Sequence, residues 1–241
     1  MIKRILLVLT ATALGLTLLN ATPLGSSAPA AAAPGCAAVE VVFARGTAEA
    51  LPPAGATGLS FEFALNNRLP NSSVGLNAVR YPASSNFSDR HAFVRNVVKG
   101  INDAQAQIRS LARRCPNSSI VLGGYSQGAV VASYAVADRI DIPARYAQYR
   151  SDAPRPLEAA YAPRIAAVVL FGTPSARWIR DVGAPPMRVG AAYRNKTAHY
   201  CIPGDNVCDG SRVGQPSPLH VLYSVNGMTG VAADFAARRI R

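Results

Sequence analysis

The chain has 241 residues, 49% of them hydrophobic, a formal charge of +12 and four cysteines. That length suffices for one sizeable core in a single domain. The basic residues are scattered through the chain with no dense run interleaved with aromatics, which argues against nucleic acid as a partner; such a chain would instead adhere to anionic surfaces such as phospholipid or acidic cell-wall polymer.

The first segment stands apart from the rest. Lys3 and Arg4 precede an apolar run from Ile5 to Leu19, and a small-residue stretch follows at Ser26–Ala33. A basic start, an apolar middle and a small-residue exit predict a secretory signal peptide and cleavage region over 1–33. The run is shorter than the roughly 20 residues of a spanning helix. Export makes the mature domain, 36–241, a secreted and disulfide-bonded one, with a charge still near +10 once Lys3 and Arg4 have left. Cys36, Cys115, Cys201 and Cys208 allow three pairings. A local Cys201–Cys208 bridge is the simplest, and it leaves Cys36 with Cys115. No Cys-x-x-Cys occurs and no histidine is spaced as a ligand beside the cysteines, so neither a metal nor any other cofactor is expected.

Val39–Ala44 reads as a strand ending at Arg45-Gly46-Thr47, and residues 51–56 read as a Pro-rich loop. Residues 57–69 suit a helix with Phe61, Leu65 and Leu69 on one face, and 76–81 suit a strand stopped by Pro82. Over 88–114, Phe93, Val97, Ile101, Ala104, Ile108 and Leu111 fall at steps of three and four, and Arg113-Arg114 close the negative end of a long helix. Ile120–Leu122 is an apolar strand, and 127–138 a small-residue helix. Between them stands Gly124-Tyr125-Ser126-Gln127-Gly128. A Gly-x-Ser-x-Gly turn between strand and helix is the nucleophile elbow of α/β-hydrolases, in which small neighbours leave room for a strained serine. Residues 140–163, polar and rich in Pro and Arg, read as a surface loop. Ile165–Phe171 is a near-continuous apolar strand, of the kind covered on both faces of a sheet. A short strand at 198–201 leads into the Cys201–Cys208 loop, and 219–240 suit a C-terminal helix interrupted at Asn226-Gly227. Strands alternating with helices predict an α/β fold with a mostly parallel sheet. The short length leaves no room for a large lid domain.

Ser126 needs a base and an orienting acid. The order in this architecture is serine, acid, histidine. His91 precedes the serine, and His199 lies within a strand, whereas His220 lies in a loop-to-helix turn that can deliver a base to the sheet edge. Among the acids between 126 and 220, Asp205 sits inside the tight Cys201–Cys208 loop, where a bridge would hold one carboxylate still; Asp209 is the fallback. Asp138 and Asp141 end the elbow helix and read as solvated. A tetrahedral oxyanion needs donors. The backbone N–H of Gln127 follows the nucleophile, and Thr47, after the first strand, offers an N–H and a hydroxyl.

Together these pieces resemble the cutinase family of serine esterases, above all the cutinase-like proteins exported by mycobacteria and related actinobacteria. The likeness rests on Phe43–Glu49, Gly123–Gly128, Cys201–Cys208, and His220 with Tyr223. It implies a compact, nearly lidless single-domain α/β-hydrolase, a triad of Ser126, Asp205 and His220, an oxyanion hole of Thr47 and Gln127, and the disulfides Cys36–Cys115 and Cys201–Cys208. It also implies an asparagine that orients the oxyanion hydroxyl, for which Asn86 is the candidate. The expected activity is hydrolysis of short- to medium-chain acyl esters or lipids by a secreted monomer. The alternatives are a carbohydrate deacetylase of the acetylxylan esterase type and a non-catalytic secreted surface protein.

Overall fold

The computed structural model describes residues 34–49 and 53–240. The expected signal segment, 1–33, and residues 51 and 52 of the expected Pro-rich loop lie outside the described residues. Among the described residues, no helix is long and apolar enough to cross a membrane.

Five parallel strands form one sheet in the order β2-β1-β3-β4-β5. The central strands β1 (Val39–Ala44), β3 (Ser119–Tyr125) and β4 (Ile165–Phe171) are built from Val, Ile, Leu and small residues. That composition suits strands covered on both faces. The edge strands β2 (Val74–Ala78) and β5 (Thr197–Tyr200) are short and half-buried. Side chains alternate between two cores. Val42, Leu122, Val168 and Leu170 join Ile101 and Ile108 of α2 (Arg90–Arg114) and Val131 of α3 (Gln127–Ala135). Val41, Phe43, Val121 and Phe171 join Phe61 and Leu65 of α1 (Gly55–Arg68) and Ala233 of α5 (Met228–Ala237). Each fully buried Phe, Leu or Ile contributes about 1.5–3 kcal/mol. α4 (Ala176–Asp181) is short and capped by Ser175 Oγ, which accepts from Trp178 N–H. The family's fold is therefore present: a single α/β-hydrolase sheet flanked by helices.

Several boundaries differ from the sequence reading, each for a local reason. The second strand is 74–78 rather than 76–81. Val79 N–H still donates to the Phe43 carbonyl at 2.9 Å, but beyond it the chain leaves β1, and the carbonyl of Tyr81 accepts from the Arg45 guanidinium at 2.8 Å. The helix α1 starts two residues early, at Gly55. α3 ends at Ala135 rather than 138, because the Val136 carbonyl accepts Gly190 N–H and the Asp138 carboxylate accepts Ala191 N–H at 2.9 Å. Asp138 is thus a structural acceptor, not merely solvated. The expected surface loop 140–163 contains 3₁₀ turns at Ala144–Asp152 and Ala159–Arg164. The C-terminal helix is broken over a longer stretch than the Asn226-Gly227 interruption. A 3₁₀ turn covers Pro218–Val221, and α5 starts only after Gly227, whose φ is 87°. Cys36 is bonded to Cys115 and Cys201 to Cys208. The first bridge closes a separation of 79 residues and ties the entry of β1 to the end of α2; such a bond typically contributes about 2–4 kcal/mol.

The crossing of β1 and α3 depends on a glycine. A Cβ on Gly128 would lie 1.9 Å from the Ala44 carbonyl oxygen and 2.5 Å from that of Arg45. Both contacts are backbone, so no side chain can yield. Gly128→Ala is expected to lower stability by about 3 kcal/mol or more, measured as the unfolding midpoint in urea; a midpoint within error of wild type would show that α3 can move away from β1.

Candidate active site

The strand β3 runs into α3 through Ser126, whose φ of 51° and ψ of −117° are those of a strained non-glycine residue. The strain is held by its surroundings. Ser126 N–H donates to the Phe171 carbonyl at 2.9 Å, extending the β3–β4 ladder by one residue, and the Ser126 carbonyl accepts from Ala129 N–H at 2.9 Å. A Cβ on Gly124 would meet the Gly128 carbonyl oxygen at 2.2 Å, so the turn closes only with glycine at both ends. The hydroxyl is left standing at the carboxyl ends of the strands, beside the N-terminus of α3.

Two loops converge on that hydroxyl. The first follows β5 and is closed by Cys201–Cys208. Its fold is local: Asp205 N–H donates to the Ile202 carbonyl at 2.9 Å, and the Asp205 carbonyl accepts from Cys208 and Asp209 N–H. Asp205 is completely buried. The second loop, Pro218–Val221, carries His220, which is 5% exposed. His220 Nδ1 lies 2.8 Å from Asp205 Oδ2, and Nε2 lies 2.9 Å from Ser126 Oγ. A carboxylate can only accept, so Nδ1 carries the proton and Nε2 is left to accept from the serine hydroxyl. Gly172, directly after β4, is required here: its φ is 53°, and a Cβ would fall 2.9 Å from His220 Cε1.

The carboxylate is fully engaged. Tyr223 Oη donates to Asp205 Oδ2 at 2.7 Å, and Val207 N–H donates to Oδ1 at 3.1 Å. Burial opposes ionisation of Asp205, but the hydrogen bonds from His220, Tyr223 and Val207 outweigh it and hold the carboxyl below the ordinary carboxylate range. Tyr223 is anchored in turn by Ile202 N–H, at 3.0 Å, and burial together with Asp205 raises its hydroxyl well above the usual phenol range. Tyr125, the residue before the serine, donates to the His220 carbonyl at 2.6 Å and so joins the elbow to the histidine loop. The roles of Tyr125 and Tyr223 carried no signal in sequence spacing, since each depends on a contact across the fold.

Thr47 lies on the loop after β1, and Gln127 directly follows Ser126. Gln127 is the first residue of α3, where an N–H has no helical acceptor. Its side-chain amide donates to the Ser84 carbonyl at 3.2 Å. Thr47 is half-buried on the loop after β1, between Gly46 and Ala48; Ala48 adopts φ 52° and donates to the Ala83 carbonyl. Asn86 does not orient this loop. Its Oδ1 accepts from Ser88 Oγ at 2.7 Å and Asp89 N–H at 3.3 Å, shaping the entry to α2. Asp209 is likewise turned away, its carboxylate accepting from Ser211 N–H. His91 packs on Tyr149 and Arg95, and exposed His199 lies on β5. His199 borders a cleft of about 1010 Å³ with Thr173, Ile179 and Met187, a lining that includes neither Ser126 nor His220. Among the described residues, the one grouping with metal-ligand spacing is Cys36, Glu40 and Cys115. Its sulfurs are bonded to each other, and Glu40 accepts from Ala37 N–H and Asn77 Nδ2.

A hydroxyl, an imidazole and a buried carboxylate in series can pass a proton away from an attacking oxygen, which is the chemistry of acyl transfer. Residues 35–240 match the family model described as Cutinase. The chain belongs to the cutinase family. Relatives of the same family include "Carboxylesterase Culp1" of Mycobacterium tuberculosis, 36% identical over 239 residues, covering 98% of this chain and 95% of that protein. Another M. tuberculosis protein, "Probable carboxylesterase Culp7", is 45% identical over 170 residues, or 70% and 86% of the two chains. Among solved structures, a Trichoderma reesei cutinase in complex with a phosphonate inhibitor superposes with a TM-score of 0.62 at 30% identity, covering 86% of this chain and 78% of that one. The catalytic core of T. reesei acetyl xylan esterase, at a TM-score of 0.63 and 22% identity, shares the fold. This cutinase-family chain is a serine carboxylic-ester hydrolase.

Proposed function

We propose that the chain cleaves short- to medium-chain acyl esters or lipids, with Ser126 as nucleophile, His220 as general base and acid, and Asp205 as the group that orients His220. Ser126 Oγ attacks the ester carbonyl carbon as its proton passes to His220 Nε2. Thr47 and the Gln127 N–H stabilise the oxyanion. The C–O bond to the alcohol breaks, and the alcohol leaves with the proton from His220. Water, deprotonated by His220, then cleaves the acyl-enzyme and releases the carboxylic acid. The observation that carries this reading is the single imidazole bonded at 2.9 Å to Ser126 and at 2.8 Å to a completely buried Asp205.

An apolar acyl group suits the surroundings better than a sugar. Val221, Leu222 and Val225, directly after His220, are exposed, as is Phe87, three residues beyond the Ser84 carbonyl that holds the Gln127 side chain. Solvent-facing apolar residues on both borders of a site mark a surface for an apolar ligand. Two disulfides and the basic-then-apolar start support action outside the cell, and the charge near +10 left without Lys3 and Arg4 supports association of a monomer with an anionic membrane or wall surface. The test is a fluorescent alkyl phosphonate followed by peptide mapping, alongside rates on p-nitrophenyl esters from acetate to palmitate and on acetylated xylan. Labelling confined to Ser126, with butyrate to octanoate the best esters, is expected. Absence of labelling would favour a non-catalytic protein, and preference for acetylated xylan would favour the deacetylase.

A further inference from the structure

Glu49 lies two residues beyond Thr47 and is half-buried without an ion-pair partner among the described residues. Its carboxylate bridges two pieces of backbone. Oε2 accepts from Gly46 N–H at 2.6 Å, and Oε1 accepts from Thr57 N–H at 3.4 Å, in the first turn of α1. That helix lacks a cap of its own, because its N-cap residue is Ala54, with no side-chain oxygen. The fold makes room for the carboxylate. Gly55 has φ 74°, and a Cβ there would fall 2.0 Å from Glu49 Oε2. Gly46 is confined from its other side, where a Cβ would meet the Tyr125 ring at 2.5 Å. Burial raises the Glu49 carboxyl, while N–H donors from Gly46, Thr57 and Ala56 and the charge of Arg45 pull it back. Arg45 itself is spent on the carbonyls of Tyr81 and Pro82.

We infer that Glu49 is a positioning residue for ester hydrolysis. Its carboxylate ties the loop bearing Thr47 to the N-terminus of α1, and so sets the separation of Thr47 from the Gln127 N–H across the oxyanion. The inference rests on the reading of the Thr47 hydroxyl as an oxyanion donor. Donors of this kind act only when held at the place where charge develops, so a loosened loop lowers kcat and spares ground-state binding.

Glu49→Gln keeps one acceptor oxygen and turns an NH₂ toward the other N–H, so one backbone donor loses its partner. The measurements are kcat and KM on p-nitrophenyl butyrate and amide hydrogen exchange at Gly46. Expected are a fall in kcat of about 30-fold, a KM within about twofold of wild type, and faster exchange at Gly46. In a Thr47→Val background the same substitution should cost less than about threefold, because the hydroxyl it positions is already gone. An unchanged kcat, a loss carried by KM, or an equal loss in both backgrounds overturns the proposal. The two readings fail separately: Thr47→Val retaining full kcat sinks the oxyanion role of the Thr47 hydroxyl and the catalytic consequence with it, while exchange at Gly46 still reports whether Glu49 anchors the loop. If Glu49→Gln does not fold, Gly55→Ala displaces the carboxylate without removing its charge and should give the same pattern of kcat loss.

Discussion

Ser126→Ala is expected to lower kcat/KM on p-nitrophenyl butyrate by at least about 10³-fold while the protein stays folded. The chemical half of that expectation follows from the 2.9 Å contact between Ser126 Oγ and His220 Nε2: without the oxygen there is nothing for the imidazole to deprotonate and no acyl-enzyme. The structural half follows from the elbow. What holds residue 126 at positive φ is backbone, namely its N–H on the Phe171 carbonyl and its carbonyl on Ala129 N–H, together with the space left by Gly124 and Gly128. Alanine keeps all of these, and its Cβ is no larger than that of serine. Residual turnover from the oxyanion donors and substrate binding should persist above the uncatalysed rate. Circular dichroism and the urea midpoint check the fold. A variant with near-wild-type turnover would remove Ser126 from the reaction, and with it the acyl-enzyme.

Asp205→Asn is expected to cost more than its small change in shape suggests, about 10⁴-fold in kcat. The partners of the carboxylate explain why. Val207 N–H donates to Oδ1, so an asparagine at 205 keeps its carbonyl oxygen there and turns its NH₂ to the Oδ2 position. Two donors already converge on that position, His220 Nδ1–H and Tyr223 Oη. The imidazole escapes the clash by moving its proton from Nδ1 to Nε2. It then faces Ser126 with a donor where an acceptor is required. The loss should appear in kcat, with KM on the same ester nearly unchanged, because Asp205 is completely buried and cannot touch substrate. A fall of less than about tenfold would mean that Asp205 does not set the tautomer.

The strands and helices were legible wherever one strong local pattern acts. The apolar run of β4 and the three-four spacing of α2 reflect burial on both faces and on one face, and both elements lie close to where the sequence puts them. The elbow was legible because its pattern is compact in sequence: Gly124 answers to the backbone of Gly128, although Gly128 itself answers to the Ala44 carbonyl on β1. His220 could be chosen because chain order leaves few histidines, and Asp205 because two cysteines bracket it. Residues whose work is done across the fold were not legible. Tyr125 holds the His220 carbonyl 95 residues along the chain, and nothing near Tyr125 records that partner. Asn86 was assigned by a loose likeness, and its short side chain instead serves the nearest turn. Residues 79–81 have the alternation of a strand, yet after Val79, whose N–H still donates to the Phe43 carbonyl, Tyr81 bonds Arg45 instead of β1.

The Cys201–Cys208 bond closes a separation of only seven residues, with Asp205 inside it. By loop-closure entropy a ring that small stabilises the domain roughly half as much as the 79-residue closure at Cys36–Cys115, and the rest of its value is local. The bond restrains the turn that carries Asp205, alongside the hydrogen bonds from Tyr223 and Val207 to its carboxylate, so covalent and polar restraints meet at the group that faces His220.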